Sequence, residues 1–464
     1  MSTSKNLKLT TRLGGLLTPQ FLSMGLAVVA TALLLPVGKS AAWGDDKGDN
    51  EGKADRGAVR LLKTIPIPGT ALNPTGGKLY SFDISWVDQK SRTYYLADRS
   101  NLAVDVIDTK TGKLLAQLQA GFAGVRPGAG TSGPNGVTTG GHCLFVTDAP
   151  SRVVSFNTST FPPTLVSAVT TATADLTRAD ELAFDPKDNV ILAINNTDTP
   201  PFGTFIKVNP STCALTQPAS APPGVATPDR LLFNAANGAD AQNGAEQPQW
   251  DPATGRFYLS IPQIGPNVAN GGVVRINPTT HKIDHTFPIS FCSPAGLTKG
   301  PDHDFLVGCN TTFDTAGGVW NQADTHTAAP IAVVLNVSTG AQHRVVGVGA
   351  GDEIWFNAGD GNYYTASSGS PLRPLDPIGA PADAQGAAVL GVIDAEDKNL
   401  IQQVPTFNVP AVTTGTAQHP AATAHSVAAD AHNNQIFVPL GANNVYPDCL
   451  TGCIAVFFRP SKVE

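Results

Sequence analysis

Apolar and polar positions recur along most of this chain in one form. AHSVAADAHNNQIFVPLG, residues 424–441, has a small polar lead, a short apolar run, a turn rich in Asn and Asp, and a second apolar run. Six further copies follow the same pattern. They are SFDISWVDQKSRTYYLAD (81–98), PNGVTTGGHCLFVTD (134–148), ADELAFDPKDNVILAIN (179–195), EQPQWDPATGRFYLSIP (246–262), PAGLTKGPDHDFLVGCN (294–310) and GDEIWFNAGDGNYYTAS (351–367). Two short β-rich runs joined by a tight polar turn predict a hairpin. Behind the hairpins come phrases such as AVDVIDTKTGKLLAQL, RVVSFNTSTFPPTLV, TFIKVNPSTCALT and VVRINPTTHKIDHTF, each reading as two more strands. The unit therefore has four strands and repeats every 46 to 72 residues or so, insertions included.

The last unit ends at CIAVFFRP (453–460) with three strands, whereas AVRLLKTIPIPG (58–69) precedes the first unit and has no hairpin of its own. Pairing these two stretches completes seven units. The predicted fold is all-β: a seven-bladed β-propeller over residues 58–460, closed by an N-terminal outer strand in the last blade. In its repeat phrases the chain resembles the YVTN/NHL-type seven-bladed propellers. In PNGV, LFVTD and RVVSFN it also resembles the senescence-marker/gluconolactonase group, which is usually six-bladed.

Ahead of this domain stand Lys5, Lys8 and Arg12, the apolar run FLSMGLAVVATALLLPVG (21–38) and small residues near Ala41 and Ala42. That order fits a cleaved secretory signal over residues 1–43, with an uncleaved anchor as the rival reading. A charged, Gly-rich linker over 44–57 has almost nothing to bury. Periplasmic or secreted localisation follows, and with it disulfides among the six cysteines. Cys449 and Cys453 bracket a short loop, Cys292 and Cys309 flank the turn KGPD symmetrically, and Cys143–Cys213 follows by elimination. A net charge of −7 without a long basic run argues against nucleic acid as a main partner.

In a propeller the connections between blades and those joining the second and third strands share one face. The long segments 120–134, 220–246, 262–272, 311–329, 367–386, 404–424 and 440–453 all fall there, marking it as the working face. The residues leading into the inner strands ring the axis on that face: Asp83, Asn135, Asp180/Glu181, Glu246, Ser293, Asp352/Glu353 and His425. Alternation along a strand leaves open which member of each acidic pair points inward. Oxygen-rich rings suit a hard cation such as Ca²⁺, while polar residues that bond only channel water are the structural alternative. The gluconolactonase resemblance implies a divalent ion held by Asn135, Glu181 or Glu246, and Asp352.

His419, His425 and His432 do not converge in the predicted layout, and His281 and His285 fall away from the ring, which disfavours a histidine metal centre. Asp98 and Asp148 end second strands near the working face, where turn formation is the commoner role. Trp86, Trp250 and Trp355 read as blade packing. No nucleophile elbow, P-loop, dinucleotide fingerprint or haem-attachment motif occurs. Two functions remain. The first is binding of a small ligand, partner or divalent cation at the axial mouth through Asp83, Asn135, Glu181, Glu246, Glu353 and His425. The second is a Ca²⁺-dependent, lactonase-like hydrolase using the same carboxylates.

Overall fold

A computed structural model describes residues 57–460 except 129, 316, 319–330, 350–351, 368–388 and 407–424. The expected signal segment, most of the linker, His419 and the larger parts of the segments 311–329, 367–386 and 404–424 lie outside the described residues. The described chain is all-β, with one 3₁₀ turn at Ala235–Asn237. Its 28 strands form five four-stranded sheets and one eight-stranded sheet. The larger sheet is two runs of four strands, joined through the single parallel pair Asn270 and Cys292.

Every unit repeats the arrangement of the first, in which Ser85–Asp88, Thr93–Asp98, Ala103–Asp108 and Lys113–Leu118 pair antiparallel in chain order. The inner strands of the others are Val137–Gly140, Leu182–Asp185, Pro248–Asp251, Cys292–Lys299, Ile354–Asn357 and Ala428–Asp430. The last unit takes its outer strand from the other end of the chain: Arg60–Pro66 pairs antiparallel with Cys453–Phe458. The expected Cys143–Cys213, Cys292–Cys309 and Cys449–Cys453 disulfides are all formed, which fits an oxidising compartment. Among the described residues no helix is long and apolar enough to cross a membrane.

One outer strand differs from the sequence reading. In the third unit it is Arg230–Leu232 rather than the run at Cys213, because the disulfide ties Cys213 back to Cys143 and leaves only the isolated bridge Val208–Leu215 there.

The core lies between units. Tyr94 and Leu96 point one way and pack with Phe437, Ile454 and Val456 of the last unit. Their neighbours Tyr95 and Ala97 point the other way, onto Leu144, Val146 and Val154 of the second. Side chains alternate along a strand, so a sheet covered on both faces buries every position. This is why the second strands read as unbroken apolar runs. Inner strands of successive units lie against one another, and Ala428–Asp430 lies against both Ile354–Asn357 and Ser85–Asp88.

Candidate cation site at the axial mouth

Backbone register separates the acidic pairs that the sequence left unresolved. The N–H groups of Asp83, Asn135, Asp180 and Glu246 each donate to the second strand of their own unit, at the carbonyls of Ala97, Thr147, Ile194 and Ser260. These four residues therefore occupy one position. The next residue accepts back: Ile84, Gly136, Glu181, Gln247 and Glu353 receive the N–H groups of Ala97, Thr147, Ile194, Ser260 and Ala366. Asp352 thus shares the first position, while Glu181 and Glu353 share the second. Ser293 falls outside this register, paired with Thr311 among irregular steps of its strand.

First-position side chains form a chain of ion pairs. Arg99 donates to Asp83 and, at 2.6 and 3.0 Å, to Asn135 Oδ1. Asn135 Nδ2 donates in turn to the Ala179 carbonyl at 3.0 Å. His425 stands between two carboxylates, with Nε2 2.9 Å from Asp83 and Nδ1 3.5 Å from Asp352. The donor atoms of Asp83, Asp352 and His425 all lie within 4.8 Å of one another. Arg178 binds Asp180 at 2.6 and 2.8 Å.

Burial raises the Asp83 carboxyl, but Arg99 and His425 beside it more than offset this and hold it below the usual range. Burial lowers the His425 imidazole, and Asp352 and Asp83 outweigh that and leave it raised. Asp180 is pushed up to about 6, mainly by burial, with Arg178 opposing.

Second-position side chains reach toward the following unit. Gln247 Oε1 accepts from the Leu297 N–H at 2.6 Å. Glu353 Oε2 accepts from the Val427 N–H at 3.1 Å, the Ser426 hydroxyl at 2.5 Å, the Ser85 N–H at 3.0 Å and the Ser85 hydroxyl at 3.1 Å. By the same register, Glu181 faces the first residue of the fourth unit's inner strand. That residue is Pro248, which has no N–H to give.

Glu181 is 4% exposed, and its carboxylate accepts no hydrogen bond among the described residues. Burial pushes its carboxyl well above the ordinary range, and Asp180, Glu246, Asp352 and Asp83 push it further. Glu246, half-buried beside it, is raised to about 8 by burial and by Asp352 and Asp180.

Of the expected site residues, Asp83, Asp352 and His425 come within ligand distance of one another, Asn135 joins them through Arg99, and Glu181 and Glu246 lie near enough to feel the charges of Asp352 and Asp83. Asn135 is committed to Arg99 and Ala179, and one oxygen of Glu353 is taken up by four donors between units, so both are tied into the structure before any ligand arrives. Three carboxylates are left without a cationic partner of their own or share only His425: Glu181, Glu246 and Asp352. Asp98 and Asp148 lie elsewhere, Asp98 with Asn101 and Asp148 with Arg152. His281 stacks on Phe205 at 3.9 Å, and His432 sits exposed beside Asp430.

The sequence reading missed Arg99 and Arg178. Each stands next to or near an acidic residue in the phrases ADRSN and TRADE, and a buried arginine requires an anion, but burial itself is not written in those phrases.

No protein-family model and no curated protein matches the chain, so its resemblance to the YVTN/NHL and gluconolactonase groups rests on repeat phrases alone. Among solved structures the chain is similar to "Kuenenia stuttgartiensis Hydrazine Synthase", with TM-score 0.55 and 11% identity over 88% of this chain and 98% of that one. It is also similar to a chain of a mitotic checkpoint complex, with TM-score 0.50 and 11% identity over 91% and 99%. Both structures contain β-propellers, and the likeness at this identity is one of fold: the protein has a β-propeller fold.

Proposed function

We propose that this is an exported, periplasmic or secreted propeller of seven blades. Its axial mouth binds a divalent cation, Ca²⁺ by donor chemistry, through Glu181, Glu246 and Asp352. The cation anchors a small ligand or partner at the long-loop face. Seven four-stranded units with neighbouring inner strands, and the outer strand donated by Arg60–Pro66, support the closed ring. Three disulfides support the oxidising location.

One observation carries the cation reading. Glu181 is a buried carboxylate that by register faces Pro248 instead of a backbone N–H, and the charges of four other carboxylates push it further from ionising. Without a cation such a group must keep a proton. A hard dication would satisfy it by drawing in Glu246 and Asp352, the latter already clustered with Asp83 and His425 within ligand distance. The fit also holds on the other side of the mouth, where Arg99 and Arg178 are neutralised by Asp83 and Asp180 and leave no free positive charge to repel an ion.

The test is metal content and melting temperature of the purified protein, before and after chelation, with Ca²⁺ added back. At a hundredfold excess over Kd, bound ion stabilises the fold by about 2.7 kcal/mol, a shift of a few degrees. Glu181→Gln should abolish this shift and raise the melting temperature of the chelated protein, since one of five mutually repelling acids is gone. Unchanged melting with and without Ca²⁺, and no metal in the preparation, would refute the reading.

The hydrolase alternative draws on His425 held between Asp83 and Asp352 beside the same ion, which would polarise a lactone carbonyl. Chelator-sensitive turnover of lactones would move the assignment from binding to catalysis.

A further inference from the structure

Along the inner strands, from Leu182 and Pro248 at their entry to Gly141 and Pro186 at their turns, lies a cavity of about 300 Å³. It is walled by the inner strands of the first four units. We propose that it is a second ligand site, and that its ligand is a neutral, hydroxyl-bearing ring, a single saccharide residue.

Three features select that chemistry. No ionisable side chain lines the cavity, so a charged ligand would enter without a counter-charge and lose its hydration uncompensated. Trp86, Trp250 and Phe184 supply aromatic surface, which suits the flat C–H face of a pyranose. The remaining lining residues carry neutral hydrogen-bonding groups with capacity to spare. Thr138 is 3% exposed, lines the cavity and has no side-chain hydrogen bond among the described residues. Thr139 accepts the Trp86 indole N–H at 2.9 Å, which leaves its own hydroxyl proton to donate. The Gln249 amide, also in the lining, has no described partner either.

A purely aromatic ligand would satisfy the rings and strand these polar groups, at a penalty for each one buried unpaired. A sugar satisfies both sets. The platform is already fixed: Trp86 meets Trp355 edge-on at 5.0 Å, although the two belong to the first and sixth units, and Trp250 meets Phe257 in the same way at 5.0 Å. Most of a preformed site's ordering is therefore complete before the ligand arrives.

The experiment titrates the whole protein, in chelator so that the cation site plays no part, with methyl glucoside, methyl galactoside and cellobiose. Glucuronate, glucosamine and indole serve as comparison probes, and tryptophan emission and calorimetry report binding. Saturable binding of at least one neutral glycoside is expected, with glucuronate and glucosamine weaker by tenfold or more. Thr138→Val keeps the shape and removes one hydroxyl, and should weaken glycoside binding about tenfold at unchanged melting temperature. Trp250→Ala should abolish it. Three results would overturn the proposal: indole saturating the cavity while no glycoside does, glycoside binding indifferent to both substitutions, or no probe binding at tens of millimolar.

Discussion

Glu353 allows a quantitative test of what a buried carboxyl does between units. Its side chain is 1% exposed, and one of its oxygens receives two backbone N–H groups and two hydroxyls. Burial raises its pKa, the hydrogen bonds from Ser426, Ser85 and Val427 oppose this, and the balance stands at about 8. An unfolded glutamate titrates near 4.5. Between those two midpoints the folded protein holds a proton that the unfolded chain has released. Stability therefore falls as pH rises through that window, by about 1.4 kcal/mol per pH unit, on the order of 5 kcal/mol in all.

Glu353→Gln fixes the neutral form, so its stability should escape this fall. The variant should be within about 1 kcal/mol of wild type at pH 5 and more stable by a few kcal/mol at pH 9. Urea midpoints of both proteins at pH 5, 7 and 9 measure the crossing. A wild type minus variant difference that is flat across this range would show the carboxyl to be ionised throughout and the balance of burial against hydrogen bonding misjudged. Glu353→Ala separates the structural role from any ligand role. It strands the N–H groups of Ser85 and Val427 and should lose several kcal/mol at every pH.

Two further outcomes follow from other parts of the molecule. Asp98 and Asp105 are both fully buried in the first unit, and burial pushes Asp98 up to about 6 and Asp105 well above the ordinary range. Since raised carboxyls lose stability as pH climbs, Asp105→Asn should stabilise the protein by about 1–2 kcal/mol at pH 8 and by nothing at pH 4, read from thermal melts at the two values. For the disulfides, loop entropy scales with separation: 70 residues for Cys143–Cys213 and 17 for Cys292–Cys309. Replacing the first pair by alanine should cost about 4 kcal/mol and the second about 3 kcal/mol in denaturant unfolding. The reverse order would show native-state contacts, not loop closure, to dominate.

The repeat was legible because burial on both sheet faces forces it: TYYLAD, CLFVTD and VILAIN have no polar alternation to lose. The cysteine pairs were legible because two of them sit across short turns, which left the third no choice. The ring of leading residues could be read by analogy between units, but not the role of each. Asp180 and Glu181 are adjacent letters, and only the register places one beside Arg178 and the other opposite Pro248. That contrast depends on a neighbour 67 positions away lacking an N–H, which no local pattern reports. The arginines and the tryptophan cavity escaped for a related reason. A cavity is a property of side chains from four strands at once, and a Trp in a strand looks the same whether it fills a core or walls a hollow.

Among the described strands Arg60–Pro66 is synthesised first and pairs with the last, nearly 400 residues later. At translation speeds of about 5 to 20 residues per second, it waits some 20 to 80 seconds for a partner. A bare strand edge is an invitation to the wrong chain during such a delay. The segment RLLKTIP answers with Arg60 and Lys63 along its length and Pro66 at its end, the residues that blunt unpaired edges. Those residues bear on the time the strand spends alone as much as on the sheet it finally completes.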